Sequence, residues 1–290
     1  MNEDYKEINI LEIAEVYKPG IKKYAPKFLI KYLTKVLRID DLNYYNKNVV
    51  NKDREEFFTT ALKYLKLDYS TVNFTRENMP NVKNPLFVSN HPLGAPEAIA
   101  TMKELLVHFP ETKVVSRKYM KMIKDFAPSI IAVTDRRELL EGLKDENLPL
   151  LIYPSGRNSR YFKINGKKEL IDLKWQDSFI KFAKRYNRPI VAINCDGIPY
   201  KKYHKISRVR KALGLKATIE ALFLVEGMFN IKDKFKLTLG DTIYPKDLTE
   251  DVSLQEWADR IMQYVHELKH NPNAKFDKNK ANELLVVDKY

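Results

Sequence analysis

The sequence predicts an α/β protein: a mixed, mainly parallel sheet flanked by helices and preceded by an N-terminal helical segment. From Leu86 onward, short runs of β-branched and aromatic residues alternate with segments of helical periodicity, which is the rhythm of βαβ units. The chain of 290 residues is long enough for one large α/β unit or two smaller ones. Its hydrophobic content of 44% supplies a core, and its 9 glycines argue against repeats and Gly-rich linkers.

The chain divides into three predicted parts. Residues 1–80 form an N-terminal helical segment, residues 81–270 the α/β domain, and residues 271–290 a loosely attached C-terminal tail. In the first part, "APKFLIKYLTKVLRIDDL" predicts one amphipathic helix over residues 26–42, and "REEFFTTALKYLKL" predicts a second helix.

The elements of the α/β domain follow from local patterns. Strands are predicted at "LFVSN", "KVVS", "IIAV", "LPLLIYP" and "PIVAIN", with "ATIEALFLV" and "KFKLTLGD" as further strands whose pairing direction is left open. Helices are predicted at "PEAIATMKELLVHF", "KYMKMIKDFAP", "DRRELLEGLKDE" and "WQDSFIKFAKRYN". The stretch "SLQEWADRIMQYVHELKH" predicts a closing helix with Ser253 as its N-cap.

The composition restricts the class of partner. Lysine and arginine total 51 against 38 acidic residues, and the net charge of +13 favours an anionic partner, either nucleic acid, anionic lipid or a phosphorylated substrate. Solvated lysine-rich faces that serve only solubility are the alternative. Basic and aromatic residues are not interleaved as in base-stacking proteins, so we expect no nucleic-acid partner.

The sequence carries few signals that indicate a cellular compartment. The lone Cys195 rules out an intrachain disulfide and, in the apolar run "VAINCDG", is expected to be a buried small hydrophobe. The N-terminal stretch has no signal-peptide pattern, and the longest uncharged apolar runs are only strand-length. We therefore expect a cytoplasmic protein without a transmembrane segment, peripheral at the inner membrane if it contacts one.

A basic stripe follows one face of the predicted helix over residues 26–42. It consists of Lys27, Lys31, Lys35 and Arg38, while Leu29, Leu33 and Val36 share another face. A basic amphipathic helix of this kind can lie on an anionic membrane surface. The commoner alternative is that its apolar face packs on the protein's own core.

Polar residues concentrate where the predicted parallel strands end. These ends carry "SNHPLG", "VTDRR", "YPSGRNSR" and "NCDGIP". Ligand sites of open α/β sheets lie at the carboxyl ends of the strands, so the four stretches are expected to share one edge and to form the site.

His91 and Glu97 are candidates for acid–base chemistry. An imidazole of ordinary pKa can remove a proton near neutral pH, and a carboxylate can fix its ring and stabilise the imidazolium. Glu97 follows His91 by six positions, with Pro92 and Pro96 stiffening the turn and Pro96 suited to the first turn of a helix. On spacing alone, a structural loop histidine and an ordinary helix-start carboxylate are the default interpretation.

The turn "YPSGRNSR" is a candidate anion site. Backbone N–H groups near Ser155 and Gly156 can form an anion nest, and Arg157 and Arg160 can add guanidinium forks. Arg136 stands at another strand end and is a further phosphate ligand or the solvated start of a helix. A basic surface turn without a ligand is the alternative for the whole stretch.

Taken in order, these stretches resemble the lysophosphatidate and glycerol-phosphate acyltransferase family, and within it the bacterial hemolysin-type subgroup. Close members carry a first motif like "NHPLGGLDG", and "NHPLGAPEA" here supplies Asn90, His91 and Glu97. A second block that ends a strand with arginine is similar to "IIAVTDR" with Arg136, and a third, "FPEGTRS" or "FPAG..SR", is similar to "YPSGRNSR". The resemblance spans about residues 86–240, and the order and spacing of the blocks are more specific than any one block.

The resemblance implies transfer of a fatty acyl group from acyl-CoA or acyl carrier protein to a hydroxyl of a lysophospholipid or glycerol phosphate, as in phospholipid biosynthesis. His91 would act as general base, Glu97 would orient it, and Asn90 would help to bind substrate. Backbone N–H groups near Ser155 and Gly156 would receive the developing oxyanion.

The resemblance also implies the remaining partners. Arg136, with Arg157 or Arg160, would grip the phosphate of the acceptor at an anionic membrane surface. It implies neither a cofactor beyond the thioester nor a metal, and the sequence contains no HExxH or paired-Cys spacing.

The chain departs from the family pattern at four positions. Glu97 stands for Asp and Ser155 for Glu, and Arg157 comes one place early. The family's fourth block is a strand around a Pro, which is similar to "PIVAIN" here with Ala192 in place of the Pro. These departures bear on the acceptor and on activity rather than on the fold. The subgroup also includes enzymes that acylate amino-acid lipids, and an inactive lipid-surface binding protein is a further alternative.

Overall fold

The computed structural model describes residues 7–17, 20–48, 53–164, 166–213, 226–280 and 282–283. The helices are α1 (Ile10–Tyr17), α2 (Lys27–Val36), α3 (Ile39–Asn48), α4 (Arg54–Tyr64), α5 (Ala95–His108), α6 (Arg136–Lys144), α7 (Ser178–Arg185), α8 (Lys201–Ala212) and α9 (Leu254–Glu267). The strands are β1 (Tyr69–Val72), β2 (Leu86–Ser89), β3 (Lys113–Ser116), β4 (Ile130–Ala132), β5 (Leu150–Ile152), β6 (Arg160–Ile164), β7 (Lys167–Ile171), β8 (Ile190–Asp196) and β9 (Phe235–Ile243).

Seven of these strands form one mixed, mainly parallel sheet in the order β1-β9-β8-β2-β5-β3-β4. The five strands from β8 to β4 pair in parallel, β9 pairs antiparallel with β8, and β1 runs parallel to β9. The predicted fold class is therefore confirmed. Strand β2 is central, with Val88 paired to Ile152 of β5 on one side and to Ala192 of β8 on the other.

Helices cover both faces of the sheet because the strands alternate their apolar side chains between two cores. Phe87 and Val191 point into the core beneath α4 and α5, whereas Leu86 and Ile190 point into the core beneath α7 and α9. Strands buried on both faces read as continuous apolar runs, which is why they were recognisable in the sequence.

The closing helix α9 begins as predicted, because the side chain of Ser253 accepts a hydrogen bond from the N–H of Glu256. The residues after it are held more firmly than a loose tail. The Tyr264 hydroxyl donates to the Ala274 carbonyl, and the Phe276 N–H donates to the Asp241 carboxylate. Residues 271–280 thus pack against α9 and β9.

The predicted helix over residues 26–42 is two helices, α2 and α3. Arg38 lies between them with φ of 51°, a left-handed conformation that ends a helix. Its guanidinium pairs with Asp41 at 2.9 Å and lies over the Phe229 ring, so tertiary contacts hold the bend.

Other local predictions also need correction. The stretch "KYMKMIKDFAP" forms two 3₁₀ turns, Lys118–Met122 and Lys124–Ser129, because Ile123 is extended between them and Pro128 cannot continue an α-helix. The polar loop after β5 contains the antiparallel hairpin β6–β7, and β1 lies within the segment expected to be helical. The predicted strand "ATIEALFLV" lies outside the described residues.

Candidate active site

His91 and Glu97 meet at the carboxyl end of the central strand β2. The Nδ1 atom of His91 lies 2.8 Å from Oε1 of Glu97, and the two side chains are 20% and 0% exposed. Because Nδ1 faces the carboxylate, Nε2 is the ring nitrogen available to a reacting group. The arrangement places a buried carboxylate directly against one nitrogen of the imidazole.

The start of α5 explains how Glu97 reaches the imidazole. Gly94 caps the helix with φ of 94°, a conformation open to glycine, and its N–H donates to Glu97 Oε1 at 2.9 Å. The N–H of Leu93 donates to the same oxygen at 3.1 Å. The carboxylate therefore closes the N-terminus of its own helix, where negative charge is favoured, while it faces His91.

The main chain of His91 is fixed by the loop that follows β5. The His91 carbonyl accepts hydrogen bonds from the Ser159 N–H at 2.9 Å and from Asn158 Nδ2 at 3.2 Å. The ring of Tyr153, in the same loop, lies 4.2 Å from the imidazole ring between centroids. The adjacency of β2 and β5 thus brings "SNHPLG" and "YPSGRNSR" together, as predicted for parallel neighbours.

A buried carboxylate, Asp172, directly follows the hairpin strand β7 and belongs to the same region. Its Oδ1 accepts from the His91 N–H at 3.2 Å and from the Ser159 hydroxyl, and its Oδ2 accepts from Trp175 Nε1 at 2.8 Å. The side chain is fully buried. Asp172 consequently links the main chain of His91 to two other segments of the chain.

Asn90 ties β2 to β8 through its side-chain amide. Its Nδ2 donates to the Cys195 carbonyl at 2.9 Å, and its Oδ1 accepts from the Cys195 N–H at 2.7 Å. With its amide held in this way, Asn90 supports the strand ends next to His91, and its contact with substrate stays a prediction. Burial raises the pKa of the Cys195 thiol well above its usual range, which does not suit a thiolate nucleophile.

The turn at Ser155 and Gly156 uses most of its donors internally. The Gly156 N–H donates to the Tyr153 carbonyl at 2.9 Å, the Ser155 hydroxyl donates to the Arg157 carbonyl at 2.6 Å, and the Arg157 N–H returns to the Ser155 oxygen. Within the part of the chain that the structure describes, the Ser155 N–H donates to no protein group. It is a backbone donor of this turn that a ligand could still use.

The three candidate arginines do not converge. Arg157 is exposed in the turn, whereas Arg160 is buried, with Nη1 donating to the Asn158 carbonyl at 3.1 Å and its guanidinium over the Tyr203 ring. Arg136 is exposed at the start of α6, which follows the edge strand β4. Three strand spacings separate β4 from β2, or roughly 14 Å at about 4.8 Å each.

A family model described as "Acyltransferase" matches residues 12–275. The chain belongs to this acyltransferase family. The acyltransferase is similar over most of its length to two curated relatives named "Lyso-glycine lipid O-acyltransferase". It is 26% identical to the one from Bacteroides thetaiotaomicron over 270 residues, which are 90% of this chain and 97% of the relative. It is 26% identical to the one from Phocaeicola vulgatus over 256 residues, or 85% of this chain and 89% of the relative.

Among solved structures, the acyltransferase is similar to the crystal structure of the 1-acyl-sn-glycerophosphate (LPA) acyltransferase, PlsC, from Thermotoga maritima. The TM-score is 0.48 and the sequence identity 15%, and the match covers 84% of this chain and 97% of that chain. In the described part of the acyltransferase, no helix has the length and apolar character needed to cross a bilayer.

Sequence reasoning missed Asp172, Trp175 and Tyr153, all of which lie around His91. Tyr153 is the first residue of the stretch "YPSGRNSR", whereas Asp172 lies shortly before the predicted helix "WQDSFIKFAKRYN". Their contacts with His91 depend on tertiary folding across β2 and β5, for which spacing along the chain gives no signal.

A second cluster of charge surrounds His204 on α8. Burial, followed by the nearby charges of Arg160, Lys168 and Arg208, lowers the pKa of His204 to about 3. The His204 ring contacts the Tyr161 ring of the hairpin at 4.7 Å between centroids. The acyltransferase therefore keeps this second histidine neutral near pH 7 and packs it as an aromatic.

Proposed function

We propose that this acyltransferase moves a fatty acyl group from acyl-CoA or acyl carrier protein to the hydroxyl of a lyso-glycine lipid. The observation that carries the chemistry is the 2.8 Å approach of His91 Nδ1 to the buried carboxylate of Glu97. The acceptor is inferred from the two relatives named for lyso-glycine lipid, which match this chain over at least 85% of its length.

In the proposed reaction, His91 Nε2 takes the proton of the acceptor hydroxyl while its oxygen attacks the thioester carbonyl carbon. Glu97 stabilises the imidazolium that forms. Collapse of the tetrahedral intermediate breaks the carbon–sulfur bond, the imidazolium returns its proton to the thiolate, and the products are an ester and the free thiol. No cofactor is called for beyond the thioester itself.

The oxyanion of the intermediate is assigned to the turn after β5. The N–H of Ser155 supports this assignment because the N–H groups of Gly156 and Arg157 already have acceptors in the turn. A backbone donor in a fixed turn needs no reorganisation when the charge develops.

The separation of the arginines supports a carboxylate headgroup over a phosphate. A phosphate dianion is best bound by several convergent cations. Here Arg136 follows the edge strand β4, three strands from β2 in the sheet, and the Arg160 guanidinium donates to its own loop, which leaves Arg157 exposed beside the site. A single carboxylate, as on the glycine of an N-acylated lipid, suits one exposed guanidinium.

An acceptor panel tests the proposal. Purified protein is incubated with labelled acyl-CoA or acyl carrier protein and with N-(3-hydroxyacyl)glycine, lysophosphatidate or glycerol phosphate. We expect transfer to the glycine lipid, abolished in His91→Ala and retained in His108→Ala, which changes a histidine at the far end of α5. Preferred transfer to lysophosphatidate would reject the acceptor, and no transfer to any hydroxyl would favour the inactive lipid-binding alternative.

We further propose that α2 docks the protein on the anionic inner face of the bacterial membrane. Tyr24, Phe28 and Tyr32 recur at four-residue intervals and are 84%, 77% and 52% exposed, although aromatic side chains are usually buried. Exposed Lys27 and Lys31 flank them.

The inner face of α2 and its neighbours complete the argument for docking. Val36 is buried and Leu33 packs on the small core around Leu37, so this side of α2 serves the fold and the aromatic side is left outward. Arg38, which follows α2, lies over the Phe229 ring, and nearby Glu226 pairs at 2.8 Å with Lys202 at the start of α8. Because α8 follows the carboxyl end of β8, α2 lies near the edge of the sheet that carries His91.

Liposome pelleting tests the docking proposal. The triple variant Lys27→Glu, Lys31→Glu, Lys35→Glu is expected to pellet less with phosphatidylglycerol vesicles, because each basic residue near such a surface contributes about 1 kcal/mol. The control carries the same charge change elsewhere, at exposed Lys66, Lys144 and Lys246. Equal loss in both triples would mean that net charge, and not α2, determines binding.

A further inference from the structure

We propose that Asp172 is a positioning residue for His91, fastening the base of the β6–β7 hairpin to the peptide of the catalytic histidine. The proposal rests on the proposed role of His91 as general base. Asp172 touches no atom of the imidazole ring, and it acts through the main chain that carries the ring.

The hydrogen bonds of Asp172 converge from three segments. Its Oδ1 receives the His91 N–H from the end of β2 and the Ser159 hydroxyl from the loop after β5, while its Oδ2 receives Trp175 Nε1 from the approach to α7. A buried carboxylate with three donors is costly to leave unpaired, so each donor is held in place.

The position of Asp172, directly after β7, lets its hydrogen bonds connect the base of the hairpin to His91. The hairpin strands begin and end with the paired residues Arg160 and Ile171. Ser159 and Asp172 are the next residues outward, so the bond between their side chains closes the base of the hairpin. The same carboxylate oxygen accepts the His91 N–H, which attaches that base to the active site.

The peptide units on both sides of His91 are thereby fixed by one loop. Asp172 holds the N–H of His91, and the Ser159 N–H holds its carbonyl at 2.9 Å. The Glu97 carboxylate lies against the ring itself, 2.8 Å from Nδ1. A displacement of about 1 Å in a catalytic group can slow a reaction by roughly a hundredfold. Loss of the hydrogen bonds of Asp172 is therefore expected to lower kcat.

Three variants test the assignment at a temperature where all are folded. Asp172→Ala removes every contact, and we expect kcat to fall by about a hundredfold with little change in KM for the thioester. Ser159→Ala removes the hydrogen bond from the Ser159 hydroxyl to Asp172 and is expected to lower kcat by roughly three- to tenfold. Asp172→Asn keeps an acceptor oxygen for His91 and Ser159 but turns its amide N–H₂ toward the Trp175 Nε1 donor, so it is expected to recover only part of the activity lost in Asp172→Ala.

Two readouts separate positioning from a general loss of stability. Leu143→Ala, in the core at α6, destabilises the fold without removing a hydrogen bond of Asp172, and the folded variant should retain kcat. The amide protons of His91 and Ser159 should exchange slowly in the wild type and faster in Asp172→Ala, a measurement that needs no substrate. It therefore holds even if the proposed acceptor is wrong.

The outcomes that overturn the proposal are specific. A folded Asp172→Ala variant whose kcat is within about twofold of wild type would overturn the proposal. If that variant does not fold, a Ser159→Ala variant with unchanged kcat would overturn it. An Asp172→Asn as slow as Asp172→Ala, with a shifted pH profile, would assign Asp172 an electrostatic role instead.

Discussion

Replacing Glu97 by Gln is the sharpest test of how the active site works. The amide has the shape of the carboxylate, and its oxygen can still accept from the N–H groups of Leu93 and Gly94. What disappears is the negative charge beside His91. We therefore expect α5 to begin normally and catalysis to fail.

The size of the loss follows from the geometry. The contacting atoms are 2.8 Å apart, so the imidazolium and carboxylate charges are centred about 4 Å apart. At an effective dielectric constant of about 20, their attraction is roughly 4 kcal/mol. If most of it is realised only when the imidazolium forms, kcat falls by about 10²- to 10³-fold, since each decade corresponds to about 1.4 kcal/mol.

The assay is kcat at saturating thioester and acceptor, together with the midpoint of urea unfolding. The matched control is Glu111→Gln, which removes a carboxylate whose side chain is 73% exposed. Glu97→Asp adds a second test, because an arm shorter by about 1.5 Å cannot satisfy both the imidazole and the helix N-terminus. A folded Glu97→Gln with kcat within threefold of wild type would refute the reasoning.

Two further predictions concern stability. Because the pKa of His204 is lowered to about 3 in the fold and is about 6.5 when unfolded, the unfolded chain takes up a proton first as pH falls. The free energy of unfolding should drop by about 2.5 kcal/mol from this group between pH 7 and pH 4.5, and His204→Asn should flatten that part of the curve in urea titrations at each pH. Arg188 is fully buried and donates to five carbonyls near the other end of the sheet, so Arg188→Ala should cost about 3–5 kcal/mol, whereas Arg185→Ala on the surface should cost under about 0.5 kcal/mol.

The parallel core of the fold was predictable from sequence because its strands carry their own signal. Stretches such as "LFVSN" and "PIVAIN" are continuous apolar runs, and each lies between helices of clear periodicity. Elements that depend on tertiary contacts were not predictable. The bend at Arg38 is stabilised by Asp41 and Phe229, and β1 owes its strand conformation to pairing with β9.

The same distinction applies to the site. The meeting of His91 with Glu97 was expected from the resemblance, because spacing alone favoured a structural histidine and an ordinary helix-start carboxylate. In the structure α5 begins at Ala95, and its third residue, Glu97, reaches back toward the preceding turn. Asp172 and Tyr153 follow other strands than His91 does. Neither their residue types nor their distance from His91 along the chain predicts a contact with it. The shared role expected of Arg136 with Arg157 or Arg160 was implied by the resemblance, and strand ends in the sequence do not specify how far apart two strands lie in the sheet.

Glutamate at position 97, where the resembling sequences have aspartate, follows from the structure of the helix start. One oxygen of Glu97 meets three groups, the His91 ring and the N–H groups of Leu93 and Gly94. The glutamate arm allows an acid at the third position of α5 to cap the helix and to reach back to the preceding loop at the same time. Helix formation and orientation of the base are thus coupled through one atom, so a change in the start of α5 is expected to alter catalysis without touching substrate.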